Sequence, residues 1–128
     1  MVRKNMKNSE IYSIGVQLAQ YVTKLNLSLP VKVNFYLQKN ITALMAMATE
    51  LEQSRNDILS KYGVLDPEQG NYTFEDDDKL AQANSELVDL FELEQEVPIY
   101  EINLEDFGNA ELDTNQVQAI SYMIREEE

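Results

Sequence analysis

Residues 31–62 read VKVNFYLQKNITALMAMATELEQSRNDILSKY, and the spacing of the apolar residues in this stretch decides the fold. Leu37, Ile41, Leu44, Ala48, Leu51, Ile58 and Tyr62 recur at steps of four and three, with only Arg55 breaking the series. Side chains spaced in this way fall on one stripe of an α-helix, close to a heptad seam. The opposite face carries Lys39, Thr42, Glu50, Gln53 and Asp57. At about 1.5 Å of rise per residue, a helix of about 25–30 residues is roughly 40 Å long, beyond the usual globular length. It is predicted to be the spine on which the other segments pack, with Leu44 and Leu51 enclosed.

Upstream, Ile11, Ile14, Leu18, Tyr21 with Val22, and Leu25 keep the same three-four spacing and predict a first helix over about Ser9 to Leu25. Ser9 is its expected cap, and Gly15 marks a point of close packing. The short link through Asn26 to Pro30 predicts an antiparallel hairpin of helices. In that hairpin Pro30 sits in the first turn of the spine and Leu27 and Leu29 plug the open end.

Downstream, Gly63 is expected to end the spine in a left-handed conformation. Asp66-Pro67-Glu68-Gln69-Gly70 reads as a turn. Asn71 to Phe74 alternates as a short strand. Asp76 to Asp78 open a third helix, where carboxylates suit the positive end of the dipole. Its apolar face is Leu80, Ala83, Leu87, Leu90 and Phe91. Glu96 to Leu104 reads as a second strand, held to an edge by Pro98 and expected to pair with Tyr72–Phe74. A turn at Phe107-Gly108-Asn109 precedes a last helix capped by Asp113 with Gln116, and the glutamates at 126–128 form a fraying tail.

The expected fold is therefore mainly α in an α+β arrangement: a long helical hairpin, two further helices and a small two-stranded antiparallel sheet. The 128 residues fit one domain, and 44% hydrophobic residues suffice for a core. Within it, residues 1–64 form a basic helical hairpin and residues 65–128 an acidic β-α-β-α part. The first half holds eight basic and four acidic residues, net +4; the second holds two basic and 19 acidic residues, net −17. Such a chain repels nucleic acids and anionic membranes and attracts proteins that bind those polyanions. No apolar run approaches the length of a membrane span, and the basic N-terminus lacks the apolar segment of a signal peptide.

Histidine and cysteine are absent from the sequence, which removes the usual zinc sites, Cys–His nucleophiles and Ser–His triads. Neither GxxxxGK[ST] nor GxGxxG occurs, so no phosphate-cradling loop is signalled. No cofactor or metal is indicated. The run Glu75-Asp76-Asp77-Asp78 suits helix capping better than a hard cation, since it lacks the glycine and later glutamate of an EF-hand loop. Carboxylates abound, but acid–base catalysis needs two in a defined geometry, which spacing does not supply. The reading is non-enzymatic.

Five short motifs, taken in order, resemble a family of short proteins of unknown function encoded by phages and prophages of Gram-positive bacteria. They are Leu29-Pro30-Val31-Lys32-Val33, Leu59-Ser60-Lys61-Tyr62-Gly63, Gly70-Asn71-Tyr72-Thr73-Phe74, Glu96-Val97-Pro98-Ile99-Tyr100-Glu101-Ile102 and Met123-Ile124-Arg125-Glu126-Glu127. The resemblance implies a phage origin and a location in the bacterial host cytoplasm. It carries over no activity and no functional residues.

Small size, absent catalytic apparatus and the acidic half together point to a binding protein that inhibits a host or anti-phage defence protein. Its sharpest form is an acidic DNA mimic of the anti-CRISPR or anti-restriction type, seated on a basic nucleic-acid-binding surface. The candidate partner-binding residues are Glu75, Asp76, Asp77, Asp78, Glu92, Glu94, Glu96, Glu101, Glu105 and Asp106. A morphogenesis or scaffolding role in the virion is the alternative, because a long heptad helix offers a self-assembly seam. A homodimer is expected to use Phe35, Met45 and Met47, which lie off the main stripe.

Overall fold

The computed structural model describes residues 1–22, 29–108 and 111–125. Leu25, Leu27, Asn109 and the terminal glutamates, for which a helix end, a plug, a turn and a tail are expected, lie outside the described residues. The elements run β1 (Val2–Lys7), α1 (Asn8–Tyr21), α2 (Val31–Tyr62), β2 (Gly63–Leu65), β3 (Tyr72–Phe74), α3 (Asp77–Glu92), β4 (Glu94–Ile99) and α4 (Thr114–Ile120), with 3-10 turns at Leu104–Phe107 and Ser121–Met123. The fold is mainly helical in an α+β arrangement, and the 32-residue α2 is its longest element.

Helices α1 and α2 run antiparallel: Tyr12 of α1 bonds to Glu52, and Gly15 meets Ala48. A methyl group on Gly15 would stand 2.8 Å from the Ala48 side chain, so the close packing expected at this glycine is present. Being 14 residues long, α1 covers only the middle of α2. The N-terminal third of α2 is covered by the segment after β4, through Tyr36 stacked on Tyr100 and Asn40 bonded to Tyr100. The C-terminal third meets α3 through Lys61 and Glu86, and β3 through Ser60 and Tyr72. Leu37, Leu44, Ala48 and Leu51 are buried, whereas Ile41, Ile58 and Tyr62 are half-buried. Val33, Asn40 and Leu59, which the series did not include, are buried as well; at 100° per residue they fall on the same stripe and widen it.

The strand pairing differs from expectation. Tyr72–Phe74 pairs not with the later strand but with Gly63–Leu65, and β4 pairs with β1. The β2–β3 hairpin closes over a short turn, held by Asp66 N–H to Asn71 O at 2.7 Å and Gly70 N–H to Asp66 O at 2.8 Å. A local closure costs less chain entropy than pairing across a 16-residue helix. Strand β4 also starts earlier and stops at Ile99, so two small sheets replace the one expected. Gly63 has an extended backbone, φ −128° and ψ 178°, and not a left-handed one. Its lack of a side chain serves the hairpin, where a Cβ would lie 2.8 Å from Thr73 O.

The first strand makes the basic N-terminus structural. Met6 faces inward with Val97 and Ile99, and Lys4 Nζ donates to Tyr122 O at 3.2 Å. Helix α1 then begins at Asn8, one residue before the expected cap. Asn8 is 5% exposed: its backbone N–H donates to Leu93 O, its side chain donates to Leu90 O at 2.8 Å and accepts from Gln95 at 2.7 Å. One buried asparagine thus ties the start of α1 to the junction of α3 and β4. Residues of both halves share the core, which joins Met6, Ile11, Leu18, Leu37 and Leu44 to Val97, Ile99, Ile102, Ile120 and Met123. Among the described residues, no helix is long and apolar enough to cross a membrane.

Candidate functional site

The ten candidate carboxylates divide by what they touch. Asp76 caps α3, its Oδ1 accepting from Lys79 N–H at 2.9 Å, while Glu75 pairs with the Lys79 ammonium at 2.8 Å. Asp106 closes the 3-10 turn by accepting from Asn103 N–H at 3.3 Å. On β4, Glu94 and Glu96 share the outward face, opposite Lys7 and Asn5 of β1. Glu96 pairs with Arg3 at 3.6 Å and Glu92 with Lys7 at 3.2 Å. The basic first strand therefore neutralises part of the acidic second half. The Lys7 ammonium is held above its ordinary pKa by the Glu92 hydrogen bond and charge, and Lys79 by the same two effects from Glu75.

Among the described residues, the side chains of Asp77, Asp78, Glu94, Glu101 and Glu105 make no hydrogen bond or ion pair, Glu94 acting on Lys7 only through its charge, and neither does that of Asp89, which the sequence reading left out. Asp77, Asp78, Asp89 and Glu105 are exposed and Glu101 is half-exposed. The structure does not gather the ten into one cluster. The 75–78 group opens α3 and Glu92 closes it, about 24 Å away along a 16-residue helix. Among the described residues, no group of three or more acidic side chains is placed to hold a metal ion.

A second feature was not visible in the sequence. An open cleft of about 710 Å³ lies between the C-terminal part of α2 and the β2–β3 hairpin, with Arg55, Asn56 and Leu59 on one wall and Leu65, Tyr72 and Phe74 on the other. Arg55, the interruption of the seam, is accounted for here: it stands where α2 turns from α1 toward the hairpin, 3.5 Å from Glu52. Glu52 also accepts the Tyr12 hydroxyl, which raises the Tyr12 pKa, burial adding to the effect. Tyr12 in turn packs edge-on against Phe91. The Tyr12–Glu52–Arg55 group is thus a joint between α1, α2 and α3, its proton held by the tyrosine.

Near the C-terminal end of α2, Lys61 and Glu86 clamp α2 to α3 at 3.1 Å. Glu86 Oε2 is shielded from solvent and lacks a regular hydrogen-bond partner among the described residues. The nearby Tyr62 hydroxyl, outside regular hydrogen-bond geometry, and the Lys61 ammonium hold this carboxyl below its ordinary value.

Comparison with protein-family models, curated proteins and solved structures finds no match.

Proposed function

We propose that this chain is a phage-encoded, non-enzymatic binding protein that inhibits a host or anti-phage defence protein by covering its basic, nucleic-acid-binding surface. The observation that carries this reading is a set of carboxylates without a hydrogen bond or ion pair among the described residues: Asp77, Asp78, Asp89, Glu101 and Glu105 remain unpaired while their neighbours cap helices or meet lysine and arginine. Unpaired like charges on one protein repel one another, and beyond the modest dipole gain of Asp77 and Asp78 in the first turn of α3 they add little to its folding. They become favourable when a cationic surface meets them.

Charge spacing supports a general basic partner more than a close replica of DNA. Six carboxylates, Asp76, Asp77, Asp78, Glu86, Asp89 and Glu92, lie along or beside α3. That is about one per 4 Å of helix, against one charge per about 1.7 Å of duplex DNA. The expected location, implied by the resemblance to phage-encoded chains, is the bacterial host cytoplasm.

The test is capture from a Gram-positive host lysate with the tagged chain, washed with salt in one arm and with duplex DNA in the other. Nucleic-acid-binding proteins released by both washes support the reading. Partners that survive both would contradict it.

A further inference from the structure

The solvent face of α2 carries a second ordered pattern. Lys32, Phe35, Lys39, Thr42, Ala46, Thr49, Gln53 and Asp57 recur at steps of three and four and are all exposed. They form a stripe on the side of the helix away from Leu37, Leu44 and Leu51. Phe35 is 54% exposed, a large apolar side chain in the open, with Lys39 Nζ 5.5 Å from its ring centre.

The charges on this stripe are arranged about a centre. Take the midpoint between Leu44 and Met45. Lys39 precedes it by as many positions as Glu50 follows it; the same holds for Lys32 and Asp57, and for Ala43 and Ala46. At 100° per residue, Lys32, Lys39, Glu50 and Asp57 also fall on the same flank of the stripe. A two-fold axis perpendicular to the helix keeps such a flank on the same side in both copies.

We propose that two copies of this chain associate through the exposed faces of α2, antiparallel, with the two-fold axis at residues 44–45. Lys39 of each copy then meets the partner's Glu50, Lys32 meets the partner's Asp57, and the small Ala43 and Ala46 let the helices approach at the centre. Each Phe35 lies against the partner's Gln53. A parallel pairing would instead set lysine against lysine and carboxylate against carboxylate. Met45 and Met47 are half-buried against the core of their own chain and take no part, so of the three expected contact residues Phe35 alone lies on the stripe. The facing stretch, residues 32–57, is about 38 Å long. One helix width makes this a small interface, at the low end of specific sizes. The dimer is therefore expected to be concentration-dependent and weakened by salt.

A charge swap tests the pairing. Lys39→Glu and Glu50→Lys, each alone, turn two attractions into two repulsions and should weaken dimerisation about tenfold or more. Combined in one chain they restore the pairing with signs exchanged and should recover the dimer. Sedimentation at high micromolar concentration and low salt reads the outcome, and circular dichroism confirms that each variant is folded. A wild-type chain that stays monomeric, or a double variant no better than the singles, would overturn the proposal.

Register has its own readout, since the chain has no cysteine. Two Ala46 residues would sit about 4.5 Å apart along the axis. With helix axes about 8–9 Å apart, the close approach that small central residues allow, their Cα atoms fall within disulfide range. Two Gln53 residues would be about 25 Å apart. Ala46→Cys should oxidise to a covalent dimer and Gln53→Cys should not. Equal cross-linking at both positions would refute the antiparallel arrangement.

Discussion

Asn40 is 2% exposed on the spine, and replacing it with alanine should be among the costliest single changes in the chain. Its Nδ2 donates to Tyr100 O at 2.9 Å and its Oδ1 accepts from Tyr100 N–H at 2.7 Å. One side chain thus satisfies both backbone groups of the residue that follows β4. Each bond contributes about 1 kcal/mol net, and a backbone group left enclosed without a partner costs about 1–3 kcal/mol. Tyr100 is half-buried, so water recovers part of that loss. The expected destabilisation is about 2–4 kcal/mol. With a urea dependence of about 1–3 kcal/mol per molar for a small domain, the unfolding midpoint should fall by about 1–2 M. Asn40→Asp separates the two bonds. Its carboxylate can still accept from Tyr100 N–H but faces Tyr100 O without a proton, so it should be destabilised near neutral pH and partly recover in acid. A loss below about 0.5 kcal/mol for Asn40→Ala would show that the spine is not anchored through Tyr100.

Gly15→Ala gains about 1 kcal/mol of helix propensity but forces two methyl groups to 2.8 Å. Overpacking of this kind costs about 1–3 kcal/mol, so thermal unfolding should show a net loss that Ala48→Gly relieves in the double variant. Asp76→Ala removes the cap bond to Lys79 N–H and should cost about 0.5–2 kcal/mol in urea unfolding, with a neutral result refuting the cap. The Lys61–Glu86 clamp should be pH-dependent. Glu86 is lowered from 4.5, so its contribution is present above that pH and is lost as pH falls through the depressed value. Lys61 is raised from 10.5, chiefly by its hydrogen bond to Glu86, so its contribution is present below that pH and is lost as pH rises through the raised value. A double-mutant cycle of Lys61→Met and Glu86→Gln should therefore show coupling between about pH 5 and 10 that vanishes in acid. Coupling that stays constant from neutral pH down the whole acid limb would contradict the ion pair.

The helices were legible because their signals are local. The seam of α2, the capping pair Asp113 with Gln116, and the carboxylates opening α3 each act within a few residues, and Gln116 N–H donates to Asp113 at 2.8 Å as the pattern implies. The strands were not legible in full. Val2 to Lys7 carries four polar residues in six and becomes a strand only because Val97 and Ile99 offer it an apolar face. Gly63 to Leu65 follows a helix without a break, and its pairing depends on the turn beyond it. Nothing in the sequence marks Asn40 and Asn8 for burial, since only a distant backbone group makes burying an amide favourable. The acidic surface was legible in its total charge but not in its division. Nothing in the spacing separates Glu92 and Glu96, which hold Lys7 and Arg3, from Asp77, Asp78 and Asp89, which hold nothing.

That division provides the direct test of the proposed function. A chain carrying Asp77→Asn, Asp78→Asn, Asp89→Asn, Glu101→Gln and Glu105→Gln loses five charges and no internal bond among the described residues. It should stay folded with a midpoint near that of the wild type, the dipole contribution lost at Asp77 and Asp78 being offset by reduced repulsion, while losing the partners captured from host lysate. The measurement is quantitative mass spectrometry of parallel captures with the two chains at low salt. The account predicts depletion of nucleic-acid-binding proteins by tenfold or more (about 0.3 kcal/mol per charge, on the scale of exposed pairs). Equal capture by both chains would show that the free carboxylates serve solubility alone.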